Sequence, residues 1–422
     1  MSKRVVITGL GVVAPNGVGL AAFSHAIKNG ISGIKHDAEL ERLQFSCQIA
    51  GTPVISEALK RHYFTELELR NFNSTGILYG VIAGMDAWKD AGLAIENNEN
   101  PDWDSGTIFG TGTSGIDKFR ESIYKIDDFQ TRRLGSTAVA QTMNSGVSAY
   151  LGGKLGLGNQ VSTNSSACTT GTESILMAYE RIKSGRAKRM LAGSTSDSGP
   201  YIWGGFDAMK VCTFKHNETP EQGSRPMSAS ASGFVPGSGA GAFILEDLET
   251  ALHRGARIYA EVLGGNVNSG GQRGSGTMTA PNAIAVKKCI TDAMKNAGIA
   301  ADQIDAINGH LTATSKDSLE IQNWSEALNR KGTDFPYINS LKSMVGHCLS
   351  ASGSVESVAA ILQIHEGFVF PNINCEDVNP DIIALIDASC IPQKLIKKEI
   401  TILAKASFGF GDVNGCLIFK KI

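Results

Sequence analysis

The chain lacks several features that would each mark a function class. None of its eight cysteines stands three residues from another, so neither a zinc ribbon nor a thioredoxin-like Cys-x-x-Cys motif is present. No apolar run is long enough to span a bilayer, which speaks against a membrane protein. Excess charge of one sign is also missing. The 39 Lys and Arg against 41 Asp and Glu leave a net charge of −2, which excludes a nucleic-acid binder relying on overall charge. Glycine is abundant but gathers at turns rather than in repeats, so low complexity is excluded as well. Scattered single cysteines in a long chain read as reduced thiols of a cytoplasmic protein.

What is present is a large reserve of core. Apolar residues make up 42% of 422 positions, enough for two or three domain-sized units or one large duplicated one. The start, Met1-Ser-Lys-Arg4 followed by Val5 to Leu20, mimics a signal segment, but Gly9, Gly11, Pro15, Asn16 and Gly17 interrupt it. Val5 to Thr8 predicts a buried strand running into a glycine loop instead. Strand-like and helical patterns then alternate. Strands are predicted at 4–13, 106–110, 188–194, 240–246, 257–266, 304–308, 336–340, 401–407 and 415–420, with helices at 21–28, 74–91, 172–183, 248–254, 283–297, 320–329 and 353–366. Such alternation implies α/β layers with mixed sheets. Each half runs strand, helix, strand, then a small-residue turn opening a long helix. That suggests a duplication with a boundary near residue 250, giving units 1–250 and 251–422.

The first small-residue turn carries a cysteine, Asn164-Ser-Ser-Ala-Cys168-Thr-Thr-Gly171. Ile175, Leu176, Tyr179 and Ile182 follow at helical spacing, placing Cys168 at or just before a helix start. Free N–H groups and the positive dipole end there favour the thiolate, which is the nucleophile. The alternative is a buried, inert cysteine. Two histidines stand at predicted strand ends, His310 in Asn308-Gly-His-Leu-Thr-Ala-Thr314 and His347 in Lys342-Ser-Met-Val-Gly-His347. Both could converge on one thiol at the carboxyl edge of a sheet, where open α/β sheets place their sites. His25, His36, His62 and His253 sit in polar or helical settings and read as ordinary surface residues.

Taken with Ser407-Phe-Gly-Phe-Gly411, these motifs resemble those of the β-ketoacyl-[acyl carrier protein] synthases, the type II condensing enzymes of fatty-acid and polyketide synthesis. The likeness runs from Arg4-Val-Val-Ile-Thr-Gly-Leu-Gly11 to Leu417-Ile-Phe-Lys-Lys-Ile422, essentially the whole chain. It implies an α/β thiolase fold, two βαβαβαββ halves in a five-layer αβαβα arrangement, usually as a homodimer. Cys168 would take an acyl group from an acyl carrier protein as a thioester. His310 and His347 would stabilise the enolate left when malonyl-carrier protein loses CO₂. Backbone N–H groups of Cys168 and Phe408 would hold the tetrahedral oxyanion. Lys342 would tune the site electrostatically, paired with Glu356, and Phe408 would gate it. Thr312 and Thr314 would bind the phosphopantetheine arm, with Gly409 and Gly411 freeing the gate loop. Arg132, Arg133, Lys210 and Lys215 match docking positions for an acidic carrier protein. No bound cofactor and no metal are implied, the phosphopantetheine arriving on the carrier.

The chain also departs from the family's pattern. Leu311 replaces the usual glycine and is expected to narrow the pantetheine channel. The stretch from His310 to Asp317-x-x-Glu320 is one residue short. Asp412 and Val413 replace Gly and Thr in the gate loop, and Ser and Ala replace charged residues between Pro226 and Gly233. Asn71 and Phe72 replace a basic pair. Together these predict a specialised member serving polyene or polyketide-like lipid synthesis. A non-catalytic chain-length-factor subunit of a heterodimer is the alternative, and Cys168 with both histidines argues against it. A biosynthetic thiolase would need a Cys-x-Gly turn near the C-terminus, which Cys416-Leu417 does not provide. Gly9-x-Gly11 alone is too little of a dinucleotide fingerprint.

Overall fold

A computed structural model describes residues 3–95 and 99–422; Met1 and Ser2 of the signal-like start lie outside the described residues. The interrupted apolar run after Arg4 forms β1 (Val5–Ala14), buried along its whole length. β2 (Ser105–Thr111), β3 (Val161–Ser162), β4 (Arg189–Ser196) and β5 (Gly239–Asp247) join it. A second set follows: β6 (Ala260–Ser269), β7 (Ala306–Asn308), β8 (Tyr337–Asn339), β9 (Ile402–Gly409) and β10 (Val413–Lys420). The spatial orders are β3-β2-β4-β5-β1 and β8-β7-β9-β10-β6, the same permutation twice. In both, the first two pairings are parallel and the last two antiparallel. The two sets meet where Val5–Ile7 of β1 pairs with Ala260–Val262 of β6.

Side-chain alternation explains the layers. In β4, Met190 and Ala192 face one core cluster while Leu191 faces another. In β10, Leu417 and Phe419 face that same first cluster while Cys416 and Ile418 face a third. The shared cluster is central. It takes Ile175, Tyr179 and Ile182 of α4 (Thr170–Lys183) and Val355, Val358 and Ile361 of α8 (Ser352–Glu366). One outer cluster holds α1 (Thr75–Asp90) and α3 (Gly146–Leu155); the other holds α6 (Ala283–Ala297) and α7 (Asp317–Leu328). A period of 2 thus feeds two cores from each strand, giving helix, sheet, helix, sheet, helix. Each fully buried Leu, Ile or Phe contributes about 1.5–3 kcal/mol.

The predicted strands and helices all form, with ends shifted by a few residues. Among the described residues, three helices of nine or more residues have no counterpart in the sequence reading: α2 (Ile116–Asp127), α3 and α5 (Pro200–Ala208). The glycines of α3 weaken its propensity. The apolar face of α2, with Phe119, Ile123, Tyr124 and Ile126, is exposed rather than set in the core. All eight cysteines are buried and unpaired, and among the described residues no helix is long and apolar enough to cross a membrane.

Candidate active site

Cys168 sits in a single 3-10 turn, Ala167–Thr169, that opens directly into α4. Ala167 holds φ +49°, a left-handed backbone uncommon for a residue with a Cβ. The same device recurs before α8, where the turn Leu349–Ala351 has Leu349 at φ +50°. The two central helices cross at their first turns. A Cβ on Gly353 would lie 2.6 Å from the Thr172 nitrogen, and Gly171 is confined in the same way by Ser354. That close approach sets Cys168 beside residues carried by the other half.

Those residues converge. Cys168 Sγ and one ring nitrogen each of His310 and His347 all lie within 4.8 Å of one another, and all three residues are buried. The imidazoles meet edge to face, centroids 5.5 Å apart. Leu349 N–H donates to His347 Nδ1 at 3.0 Å, and Ser352 Oγ lies 2.9 Å from the same nitrogen. A backbone N–H can only donate, so Nδ1 is the acceptor and the ring proton sits on Nε2. Burial and the Lys342 charge pull both histidines well below their usual range, so both are neutral. A neutral imidazole with one N–H is a hydrogen-bond donor suited to a developing oxyanion.

Lys342 opens a short helical turn, Lys342–Val345, and is buried there. Its Nζ pairs with Glu356 Oε1, and Lys405 Nζ reaches Glu356 Oε2 at 2.9 Å as an ion pair rather than an aligned hydrogen bond. Glu356 is therefore the centre of a buried triad. Burial pulls Lys405 down from its usual value while Glu356 holds it up. Lys405 has no signal in the sequence beyond a lysine inside an apolar strand. Glu320 is a second carboxyl close enough to act on both lysines. The thiol and two imidazoles are the one cluster among the described residues with ligand atoms close enough to hold a metal.

Three expectations need correcting or relocating. The helix start does not dominate the thiol: burial pushes Cys168 up to about 11, with Glu356 adding to that push. The Phe410 N–H, the Lys342 charge and the cysteine's own N–H oppose it. The second backbone donor at the thiol is accordingly Phe410, not Phe408. Phe408 is still inside β9, in register with Asn414, whereas Phe410 lies past the strand end where the chain turns back. Phe408 is a wall residue, its ring 6.2 Å from His310. Leu311 does not narrow the channel. It is fully buried in the outer core with Ile321 and Trp324, pointing away from the cavity. The shortened 310–320 segment is held by two buried carboxyls. Glu320 accepts from the His310 and Leu311 N–H groups at 2.7 and 2.8 Å, and Asp317 from those of Thr312, Ala313 and Met227 at 2.9, 3.1 and 2.9 Å. Burial pushes these carboxyls up to about 7 and about 6.

Two cavities meet at Cys168. The first, about 240 Å³, is lined by His310, Thr312, Thr314, His347, Phe408 and Gly409 among others. Thr312 and Thr314 bring their hydroxyls within 3.1 Å of each other on its wall. The second, about 260 Å³, lies on the other side, against Thr113, Ile116, Ala167, Tyr201, Ile202 and Ser350. Phe410 borders both, its ring 5.8 Å from that of Phe206. Gly411 lines neither; it turns the chain at φ +84°. Arg132, Arg133, Lys210 and Lys215 are exposed and outside both linings. Lys210 precedes Val211, which lines the first cavity, whereas Arg132 and Arg133 lie on the turn beyond α2.

This arrangement can pass an acyl group through a thiol and stabilise negative oxygen beside it. Residues 2–251 match the Beta-ketoacyl synthase N-terminal domain and 259–376 the C-terminal domain. A 3-oxoacyl-[acyl-carrier-protein] synthase 2 of Vibrio harveyi is 33% identical, covering 100% of both chains. A type II polyketide acyl-carrier protein in complex with its ketosynthase bound to the hexaketide superposes with a TM-score of 0.87 at 28% identity, covering 100% of both chains. The ishigamide ketosynthase/chain length factor superposes equally well, at 0.87 and with the same full coverage; at 24% identity it speaks to the fold alone. The chain belongs to the beta-ketoacyl synthases, decarboxylating condensing acyltransferases built on the thiolase fold.

Proposed function

We propose that Cys168, His310, His347 and Lys342 carry a decarboxylating Claisen condensation giving 3-oxoacyl-acyl carrier protein. The convergence of one thiol and two neutral imidazoles is the observation that carries this reading. Acyl-carrier protein delivers an acyl thioester; Cys168 sulfur attacks its carbonyl, and the thiol proton ends on the departing phosphopantetheine sulfur. The N–H groups of Cys168 and Phe410 hold the oxyanion meanwhile. Malonyl-carrier protein then loses CO₂, and its C–C bonding pair becomes an enolate stabilised by the histidine donors. The enolate carbon attacks the Cys168 thioester, and the cysteine leaves as thiolate and regains a proton from solvent. The Lys342–Glu356–Lys405 triad supplies the positive field in which both anions form.

Thr312 and Thr314 support the phosphopantetheine arm in the first cavity, and the second cavity takes the acyl chain. Phe410, bordering both, fits the gate assigned from sequence to Phe408, with Gly409 and Gly411 flanking it. Phosphopantetheine is the only prosthetic group in this scheme. Arg132, Arg133, Lys210 and Lys215 are the contacts for an acidic carrier protein. Units 1–250 and 251–422 supply the nucleophile and the histidines respectively, a division supported by the two family matches meeting between 251 and 259. The exposed Phe119, Ile123, Tyr124 and Ile126 support a dimer through α2. The complete Cys-His-His set favours a catalytic subunit over a chain-length-factor-like one. The gate-loop change at Asp412 and Val413 supports a specialised polyene or polyketide-type pathway.

Intact-protein mass after mixing with a panel of acyl-carrier proteins tests this. The expected result is a single acyl adduct at Cys168, discharged as a 3-oxoacyl product on adding malonyl-carrier protein. An adduct that malonyl-carrier protein leaves in place would sink the condensation.

A further inference from the structure

The second cavity carries one polar group that the chemistry above does not use. Much of its wall is apolar, with Ile116, Ile202, Phe206, Leu349 and Phe410, and Ser196 interrupts it. Ser196 is the last residue of β4, in register with Gly239 of β5. Strand alternation fixes the direction of its side chain. Thr195 turns to the outer helices, its Oγ1 donating to Gly76 O at 2.7 Å. Ser194 turns to the central helices, its Oγ donating to Ser350 O and lying 2.7 Å from Ser354 Oγ. Ser196 takes the side of Ser194, toward the cavity that Cys168 and Ser350 also line.

Its polar neighbours there are already engaged. Ser350 Oγ donates to Thr195 O at 2.7 Å, and Ser350 O accepts from Ser194. Ser196 is 3% exposed, and its Oγ has no hydrogen-bond partner among the described residues. No other described residue of this lining has a buried side-chain oxygen or nitrogen in that state. A hydroxyl hidden from water without a partner destabilises the fold in a way that alanine at the same place would not. A saturated acyl chain in the cavity would leave it unpaired, because a methylene neither donates nor accepts. An oxygen on the chain would pair it. Serine can donate and accept, so a ketone or a hydroxyl on the chain would serve. A site built to hydrogen-bond its substrate discriminates against an analogue without that group more sharply than an apolar pocket discriminates by size.

The reaction itself generates such oxygens. Each condensation leaves a carbonyl at carbon 3, and each further round moves it two carbons away from the thioester. An oxygen that is not removed between rounds therefore sits at an odd-numbered carbon. We propose that Ser196 is a specificity-determining residue that hydrogen-bonds an oxygen retained at an odd-numbered carbon of the acyl chain, so that oxygenated acyl groups load in preference to saturated ones. The reaction that supplies the substrate then stops at the ketone or the hydroxyl, short of full reduction. This rests on the reading of Cys168 as the acyl acceptor and of the second cavity as the place of the chain.

The test uses the full-length protein as wild type, Ser196→Ala and Ser196→Cys, each first checked for cooperative melting. Loading of Cys168 is timed by intact mass with octanoyl-carrier protein and with octanoyl chains bearing a hydroxyl or a keto oxygen at carbon 3, 5 or 7. In the wild type at least one oxygenated chain should load at least fivefold faster than octanoyl, and the keto and hydroxyl arms tell which oxygen is bound. In Ser196→Ala octanoyl loading should rise, and the preference should drop at least fivefold. Ser196→Cys, a weaker donor, should fall between, and it carries the test if the alanine variant does not fold. Octanoyl loading in the wild type as fast as every oxygenated chain overturns the proposal. So does an unchanged preference in Ser196→Ala, or all rates falling together as a general loss of structure would give. Binding of the matching acyl-pantetheine amides, which cannot transfer their chains, is the independent arm. By calorimetry the favoured oxygenated amide should bind the wild type at least fivefold tighter than the octanoyl amide and lose that margin in Ser196→Ala; equal binding to the wild type counts against Ser196. If no carrier protein acylates the wild type, the reading of Cys168 fails, and the amides alone decide the role of Ser196.

Discussion

The turns Ala167–Thr169 and Leu349–Ala351 are the same backbone device used for different ends. Each has a left-handed residue, φ +49° and +50°, followed by a small polar side chain and a long central helix. In the first turn that side chain is Cys168, in the second Ser350. Ser350 Oγ donates to Thr195 O at 2.7 Å and is thereby committed to structure. Cys168 Sγ instead faces the Phe410 N–H and two neutral imidazoles. Six residues on from each, α4 carries Ser174 and α8 carries Glu356. One copy thus holds the nucleophile, and the other holds the charge and the donors. Duplication supplies matched scaffolds; the chemistry arises where they cross.

Breaking the asymmetry at the nucleophile should have the largest effect. Cys168→Ala should abolish the acyl adduct in intact-mass measurements, and a persisting adduct would place the acceptor elsewhere. Next comes the charge on α8. Glu356→Ala leaves two buried ammonium groups without a partner and should lower unfolding free energy by about 3–5 kcal/mol in denaturant titration. A loss under about 1 kcal/mol would mean that water or another group replaces the carboxylate.

A smaller effect separates the cysteines of the two turns. Burial pushes Cys168 up to about 11, and Cys348, beside the second turn, further still. The thiolate fraction at Cys168 then grows about tenfold per pH unit up to that value. Iodoacetamide should label Cys168 ahead of Cys348, with the rate climbing about tenfold per unit between pH 7 and 10; a plateau near pH 8 would mean a more acidic thiol. The smallest effect is expected at Ser350→Ala, which should leave Cys168 loading within about twofold, since its hydroxyl bonds only the backbone.

Stability should carry a pH signature from the clamp behind His310. Glu320 is raised from its ordinary value to about 7 by burial, so its folded form binds a proton more tightly than the unfolded chain. Its contribution is complete below about pH 4.5 and is lost as pH rises through about 7, on the order of 3 kcal/mol. Denaturant titration at pH 5 and pH 8 should show that loss, and Glu320→Gln should remove it.

Much of this was legible in the chain. Alternating strand and helix patterns, the small-residue turn at Cys168, and histidines at two strand ends all rest on local periodicity and turn chemistry, which neighbouring residues decide. The resemblance then supplied Lys342 and Glu356. What stayed hidden depends on partners distant in sequence. Lys405 looks like a misplaced charge in β9 until Glu356 of α8 meets it. Phe408 and Phe410 share one glycine motif, and only the strand end at Gly409 tells the wall residue from the donor. Leu311 could face the channel or the core; tertiary packing turned it inward. The thiol's acidity is the clearest case. A helix start argues for thiolate, but desolvation depends on how completely the other half covers Cys168, and that burial prevailed. The sequence by itself determined the elements, their order and the types of reactive group. The tertiary structure alone decided which charges face one another and how dry the site is, because electrostatic energies depend on distance and solvent exclusion rather than on residue type.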